Sequence, residues 1–211
     1  MKPESVIFDI DGTLWDSREV VARGYNRYLC RIGHPELQVD TARLTGLFGK
    51  TLTEIADAML PCYPVPQRYE VMHQCMECEQ AVMHADPCQI AYPGVVEGLK
   101  ALARNYRLFL VSNAEKGYPE LLMEKLAIGD LFEGHLCYGD TGVHKGETLR
   151  ILMDRWQVGP CVYVGDTQGD LDACRHAGIP FVFCRYGFGR PESFDASIGQ
   201  FSELEKVLEN L

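Results

Sequence analysis

Val6-Ile7-Phe8-Asp9-Ile10-Asp11-Gly12-Thr13-Leu14 is the stretch that decides how this chain is read. It opens as a short apolar run rich in Val, Ile and Phe, the signal of a buried strand. Asp9 and Asp11 fall at the end of that run, and Gly12 stands where a strand would leave its sheet. A carboxylate in an apolar strand needs compensation, because an unpaired buried charge is very costly. The plain reading is an ordinary strand end with a polar turn. The sharper one places two carboxylates at the C-terminal edge of a parallel sheet, where open α/β folds bind their ligands. Two close carboxylates require a cation between them or a shared proton. The stretch is therefore a candidate metal-assisted active site.

Working outward, the pattern turns helical from Asp16, with Val21, Tyr25, Tyr28, Leu29 and Ile32 on one face before Gly33 stops the helix. Two short helical pieces follow within 40–60, separated by Gly46-Leu47-Phe48-Gly49-Lys50. Pro61 to Pro66 reads as a rigid connector, since proline fixes φ and cannot continue a helix. A longer helix is predicted from Gln67 to about His84, with Val71, Cys75, Cys78 and Val82 as its stripe and Met72, Met76 and Met83 beside it. After residue 92 strands and helices alternate: strands at 107–111, 161–164 and 181–184, a weak one within 131–138, and helices at 93–102, 118–126, 145–156, 171–177 and 201–211. Such alternation argues for βαβ units and a parallel sheet covered on both faces. The expected fold is a doubly wound, Rossmann-like α/β core, residues 1–16 and 89–211, with an all-helical cap inserted at 17–88.

A chain of 211 residues can bury one large core or a core plus a smaller domain. Its net charge of −10 argues against nucleic acid, which basic stripes would bind. No cationic leader followed by an apolar segment opens the chain, and no 18-residue apolar run suggests a membrane span. Nine scattered cysteines, several inside apolar runs, fit reduced and buried thiols better than a disulfide framework. A cytoplasmic protein is expected.

The strand ends now form one set. The first supplies Asp9 and Asp11, the second Ser112 and Asn113, and the strand at 161–164 runs into Asp166 and Asp170, with Lys145 opening a helix before it. In a parallel sheet these ends share one edge. Several acidic groups without a His or Cys cluster favour a hard cation held by oxygen, Mg²⁺ above Zn²⁺. The chemistry they suggest is phosphoryl transfer. A carboxylate can attack phosphorus, a metal and a lysine can neutralise the anion, and Ser112 and Asn113 can donate to phosphate oxygens. Asp11, past the turn, is placed to protonate a leaving oxygen and then activate water.

Asp9-Ile10-Asp11-Gly12-Thr13-Leu14-Trp15-Asp16-Ser17 resembles the first signature motif of the haloacid dehalogenase superfamily. Ser112-Asn113, Lys145 and Gly165-Asp166-Thr167-Gln168-Gly169-Asp170 resemble its second, third and fourth. Order and spacing agree over nearly the whole chain, and the phosphoglycolate-phosphatase-like members are the most similar subgroup. The resemblance implies Asp9 as nucleophile, Asp11 as general acid/base, and Mg²⁺ held by Asp9, the Asp11 main-chain carbonyl and Asp166. Asp170 would be a further metal-shell carboxylate or the partner of Lys145. Ser112, Asn113 and Lys145 would hold the phosphate, and Thr13 is counted with them. Lys145-Gly146 departs from the Lys-Pro of many relatives, which bears on the subgroup more than on catalysis. The dehalogenases lack the second aspartate and need no metal, so dehalogenation is not expected here.

Other signals are weaker. Gly46 to Thr51 resembles a P-loop, but that motif needs glycine where the chain has Leu44. Lys50, in that loop, and Arg43, just before it, either contact the substrate's non-phosphate part or are solvated. Cys75 and Cys78 have the spacing of half a zinc site, yet both belong to an apolar stripe and no second pair follows. His144 precedes Lys145 and is a minor candidate. The expected activity is Mg²⁺-dependent hydrolysis of a small phosphomonoester, phosphoglycolate-like, through an aspartyl-phosphate. The alternatives are a phosphosugar mutase of the same superfamily and a catalytically silent binding protein on this fold. Cap closure about Asp16-Ser17 and Pro87–Pro93 is expected to exclude water. The partner is a small phosphate ester, neither nucleic acid nor membrane, and oligomeric state is left open.

Overall fold

The computed structural model of the chain describes residues 2–87 and 90–211. Two compact units result, Met1–Asp16 with Ala91–Leu211, and Ser17–Ile90. The return boundary expected at 88/89 lies outside the described residues.

The first unit is built on a six-stranded sheet of order β3-β2-β1-β4-β5-β6, parallel throughout, with β1 Ser5–Phe8, β2 Arg107–Ser112, β3 Gly134–Cys137, β4 Cys161–Gly165, β5 Phe181–Cys184 and β6 Ala196–Ile198. All four residues of β1 are buried, as expected of a central strand paired on both sides and covered on both faces. The register aligns Ile7 with Phe109 and Tyr163, and Tyr163 with Phe181. That row of odd-numbered side chains forms one core with Leu149, Leu152 and Leu171, which come from α8 Lys145–Arg155 and α9 Gln168–Ala177. The alternate row faces the other way, where Phe8 stacks on Phe201 at 6.0 Å. Gly98 of α5 Val95–Leu102 approaches Phe201 so closely that a Cβ there would lie 2.6 Å from the ring. Helices thus cover both faces, as the strand–helix alternation predicted.

The strand order reverses at β1: β2 and β3 build outward on one side, β4 to β6 on the other. Such a switch point opens a crevice at the C-terminal strand ends. Asp9, Asp166 and Ser112 all stand there.

Three local differences from the sequence reading have simple causes. The strand β6 was not anticipated, because Ala196-Ser197-Ile198 is short and only its last residue is buried. The weak strand within 131–138 narrows to four residues, flanked by a 3-10 turn at Gly129–Leu131 and by α7 Tyr138–Thr141. The helix expected from residue 171 begins three residues earlier, since Thr167 caps it and Asp170 completes a capping box.

The second unit is helical among its described residues: α1 Arg18–Arg31, α2 Thr41–Thr45, α3 Leu52–Met59 and α4 Val65–Ala85. The connector ending at Pro66 is shorter than expected, for Pro66 itself sits in the first turn of α4, where its missing N–H costs nothing. The buried stripe of α4 runs through Val71, Met72, Cys75, Glu79 and Met83, not through Cys78 and Val82. The cause is the crossing with α1, where a Cβ on Gly24 would lie 2.3 Å from the Glu79 Cα. The helices therefore touch backbone to backbone at Gly24, and that contact carries Glu79 inward. Arg43, Lys50 and His144 are exposed, while Cys75 is a buried free thiol. No helix among the described residues is long and apolar enough to cross a membrane.

Candidate active site

Asp9 is delivered to the sheet edge by the ladder itself, since its N–H donates to the Val164 carbonyl at 2.9 Å. The chain then coils once, with the amides of Thr13, Leu14 and Trp15 all directed at the Ile10 carbonyl, and Gly12 makes this turn at φ +81°. A Cβ on Gly12 would lie 2.3 Å from Asp166 Oδ2, so the position admits glycine on both counts.

At the centre is Lys145, 4 % exposed at the N-terminus of α8. Its Nζ donates to Asp9 Oδ1 at 2.8 Å and to Asp170 Oδ1 at 2.7 Å. Asp170 is fully spoken for. Its Oδ2 accepts from the Asp166 amide at 3.1 Å, the Thr167 amide at 2.8 Å and the Thr167 hydroxyl at 2.7 Å. Of the two roles open to Asp170 from sequence, the structure shows the pairing with Lys145. Asp166 Oδ2 accepts the amides of Phe188 and Gly189 at 2.6 and 3.3 Å, while its Oδ1 is buried without a hydrogen-bond partner.

Burial pushes the Asp9 carboxyl up from 3.8 to about 7; Lys145 pulls against that rise and Asp170 adds to it. Burial, then the charges of Asp170 and Asp9, carry Asp166 well above the usual carboxylate range. Burial would raise Asp170 too, but the charge and hydrogen bond of Lys145, joined by Thr167, outweigh it and hold Asp170 below its ordinary value. Burial would lower Lys145, yet the two carboxylates overcome it and hold the ammonium charged.

Asp9, Asp166 and Asp170 offer oxygens that lie within 4.8 Å of one another. With all three ionised, three carboxylates against one ammonium would leave two negative charges in a buried space, which is why Asp9 and Asp166 hold their protons so strongly. The set fits a hard divalent cation: every donor is oxygen, and Asp166 Oδ1 has no hydrogen-bond partner among the described residues.

Electrostatics of this kind make stability depend on pH. Asp9, raised in the folded state, contributes stability that is complete below its unfolded pKa of 3.8 and is lost as pH rises through about 7. Asp166 shifts in the same sense. Asp170, depressed, contributes above its unfolded value and is lost only as pH falls below it. The metal-free protein is therefore expected to be less stable at pH 8 than at pH 5, by on the order of 2–3 kcal/mol. Denaturant unfolding in the presence of a chelator measures this directly, and equal stability at the two pH values would contradict the carboxylate imbalance.

The remaining candidates are placed as follows. Ser112, buried at the end of β2, accepts the Ala114 amide through Oγ at 3.2 Å, and Asn113 follows it, half-buried. Asp11 is half-buried, and its Oδ1 accepts the Trp15 indole N–H at 2.9 Å and the Tyr118 hydroxyl at 2.7 Å. Thr13 follows Gly12 in the coil after β1. It is fully buried behind the turn, where its carbonyl accepts the Tyr186 hydroxyl at 2.9 Å and burial pushes the neighbouring Cys184 thiol up.

Several supporting residues were not singled out from sequence. Tyr163 lies beneath Lys145, with the ammonium 5.7 Å from its ring, and ties β4 to β2 by donating to the Val111 carbonyl at 2.9 Å. The strap Gly187-Phe188-Gly189 holds Asp166. Its signal was a Gly-x-Gly two residues beyond an apolar strand, after Arg185-Tyr186. Thr167 was legible as a cap from the spacing Thr-x-x-Asp.

A doubly wound α/β sheet with a buried lysine–carboxylate cluster at its switch point defines an enzyme of Rossmann-like architecture with an acidic centre. The chain belongs to the haloacid dehalogenase-like hydrolases, whose family model matches residues 6–184. Among curated proteins it is 29 % identical over 199 residues to a plasmid-encoded phosphoglycolate phosphatase of Cupriavidus necator, covering 89 % of this chain and 83 % of that one. It is 26 % identical over 227 residues to a 5'-nucleotidase of Pseudomonas aeruginosa, covering 98 % and 96 %. Among solved structures it is similar to a haloacid dehalogenase-like family hydrolase of Streptococcus pneumoniae, with TM-score 0.81, 21 % identity and 98 % of each chain covered. A subfamily IA hydrolase of Geobacter sulfurreducens superposes with TM-score 0.73 at 20 % identity, over 98 % and 97 %. At these identities the structural likeness speaks for the fold.

Proposed function

We propose that the chain is a Mg²⁺-dependent phosphatase that hydrolyses a small phosphomonoester through an aspartyl-phosphate on Asp9. The observation that carries this reading is the buried surplus of carboxylate at the switch point, with Asp9 on the Lys145 ammonium and the unpartnered Asp166 Oδ1 in the same cluster. Asp9, Asp166 and the Asp11 main-chain carbonyl would hold the ion. When bound, the ion supplies charge neutralisation for the incoming phosphate and for the transition state.

The chain's own residues divide the remaining work. An Asp9 oxygen forms a bond to phosphorus as the ester oxygen leaves, and Asp11 gives that oxygen its proton. Asp11, now ionised, takes a proton from water; the water oxygen bonds to phosphorus, and the Asp9–phosphorus bond breaks to release inorganic phosphate. Lys145 holds Asp9 in place and balances negative charge throughout, while Ser112 and Asn113 donate to the phosphate oxygens. Relatives bearing the names phosphoglycolate phosphatase and 5'-nucleotidase align along most of this chain, which supports a small soluble monoester, phosphoglycolate first.

Release of inorganic phosphate from phosphoglycolate, from nucleoside monophosphates and from an aryl phosphate, each with Mg²⁺ and with chelator, tests the proposal. Turnover that requires Mg²⁺ is expected. Hydrolysis at undiminished rate in chelator would contradict the metal, and isomerised sugar phosphate in place of free phosphate would make the protein a mutase.

A further inference from the structure

We propose that Tyr118 and Trp15 are positioning residues for proton transfer, fixing the Asp11 carboxyl so that its mobile proton is carried on Oδ2. The inference rests on the reading of Asp11 as the group that protonates the leaving oxygen.

The two donors come from different parts of the core and meet on one atom. The indole Nε1 of Trp15 reaches Asp11 Oδ1 at 2.9 Å, from the far side of the coil that follows β1. The Tyr118 hydroxyl reaches the same Oδ1 at 2.7 Å, across 107 residues of sequence. The rings support each other edge to face, with centroids 5.6 Å apart and planes at 78°.

Both side chains are held firmly. Trp15 is fully buried, its carbonyl accepts the Gly12 amide at 3.0 Å, and the preceding Leu14 carbonyl accepts the Tyr92 amide at 3.0 Å. Tyr118 is the first residue of α6 Tyr118–Leu126, 6 % exposed, set by a left-handed Gly117 at φ +92°. Neither ring can swing away without uncovering apolar surface, so the carboxyl they grip has a fixed plane.

Donor accounting then assigns the proton. The indole N–H can only donate and the Tyr118 hydroxyl donates to the same atom, and of the two oxygens of a protonated carboxyl the carbonyl is the far stronger acceptor, so the twice-bonded oxygen is the carbonyl. Oδ1 therefore stays an acceptor whether Asp11 is ionised or protonated, and the proton that moves resides on Oδ2. The pair thereby selects which oxygen is acid and which is anchor. An unanchored carboxyl would have to find this orientation in each turnover, and the entropy of doing so would fall on the step in which the leaving oxygen needs its proton.

That location makes the proposal testable by leaving-group dependence. kcat/KM reports the first phosphoryl transfer, and it would be measured for a series of aryl and alkyl phosphates of rising leaving-group basicity. A poorly basic nitrophenolate leaves without a proton, whereas an alkoxide cannot. The native protein is expected to show a shallow dependence and Asp11→Asn a steep one. Tyr118→Phe keeps the ring and loses only the hydroxyl; it is expected to lose on the order of tenfold on alkyl phosphates and under about threefold on the nitrophenyl ester. Trp15→Phe, which removes the indole N–H, is expected to show the same signature. A merely structural role would lower all substrates alike. If Asp11→Asn is steep but both aromatic variants run parallel to the native line, the positioning role is overturned. If Asp11→Asn itself runs parallel, the assignment of Asp11 as acid fails, and the positioning role with it.

Discussion

Asp9→Asn is expected to reduce phosphate release by on the order of 10⁴-fold or more, the scale on which removal of a catalytic nucleophile acts. The substitution keeps the shape of the side chain and exchanges one oxygen for an amide, so no nucleophilic carboxylate remains. What separates this loss from unfolding is the sign of the stability change. Burial makes ionised Asp9 expensive, raising its carboxyl to about 7, so a neutral amide should leave the metal-free protein at least as stable at pH 8 as the native one. Lys145 retains Asp170 as its partner at 2.7 Å. Activity and thermal unfolding measured on the same preparation decide the matter. Turnover at the native rate would remove Asp9 from the mechanism, and a large drop in stability would mean that its charge serves the fold.

Lys145→Met is expected to do the reverse to stability. Methionine fills about the same space but leaves Asp9, Asp166 and Asp170 buried with no cation. Removing one partner of a buried ion pair costs roughly 3–5 kcal/mol, because the abandoned charge keeps its desolvation penalty. The cost should grow from pH 5 to pH 8, as the carboxylates are forced to ionise, and divalent cation should recover part of it. Denaturant unfolding with and without Mg²⁺ gives the comparison. A Lys145→Met protein as stable as the native one across that range would show that the cluster is not electrostatically strained. The two variants together distinguish the residue that reacts from the residue that holds the charges together.

The convergence of these side chains on one sheet edge was legible because each of them follows directly on, or closes, an apolar strand. Asp9 comes after Val6-Ile7-Phe8, Ser112 closes a run that begins at Leu108, and Asp166 stands one residue past β4. A parallel sheet then gathers these ends without further information. Lys145 was legible for a related reason, since it opens a helix between two of those strands. What resisted reading depends on contacts made across long separations. Tyr118 looks like any aromatic at a helix start, and nothing local says that its hydroxyl reaches Asp11. The buried face of α4 was misjudged by part of a turn, because an apolar stripe was assumed and the backbone contact at Gly24 turns a glutamate inward instead. Nothing local says that the coil after β1 buries Thr13 completely. The capping box of Thr167 and Asp170 shows the opposite case: a local signal was present and explains both the helix start and the anchoring of one Asp170 oxygen.

The central claim is that phosphorus is held as an acyl phosphate on Asp9 before water attacks it, and stereochemistry tests this most directly. A phosphorothioate monoester made chiral at phosphorus with 16O and 18O would be hydrolysed in 17O-water, and the configuration of the released inorganic thiophosphate, which carries sulfur and three different oxygens, determined. Two successive in-line displacements, first by Asp9 and then by water, predict net retention. Net inversion would mean a single direct attack by water, and would contradict the account.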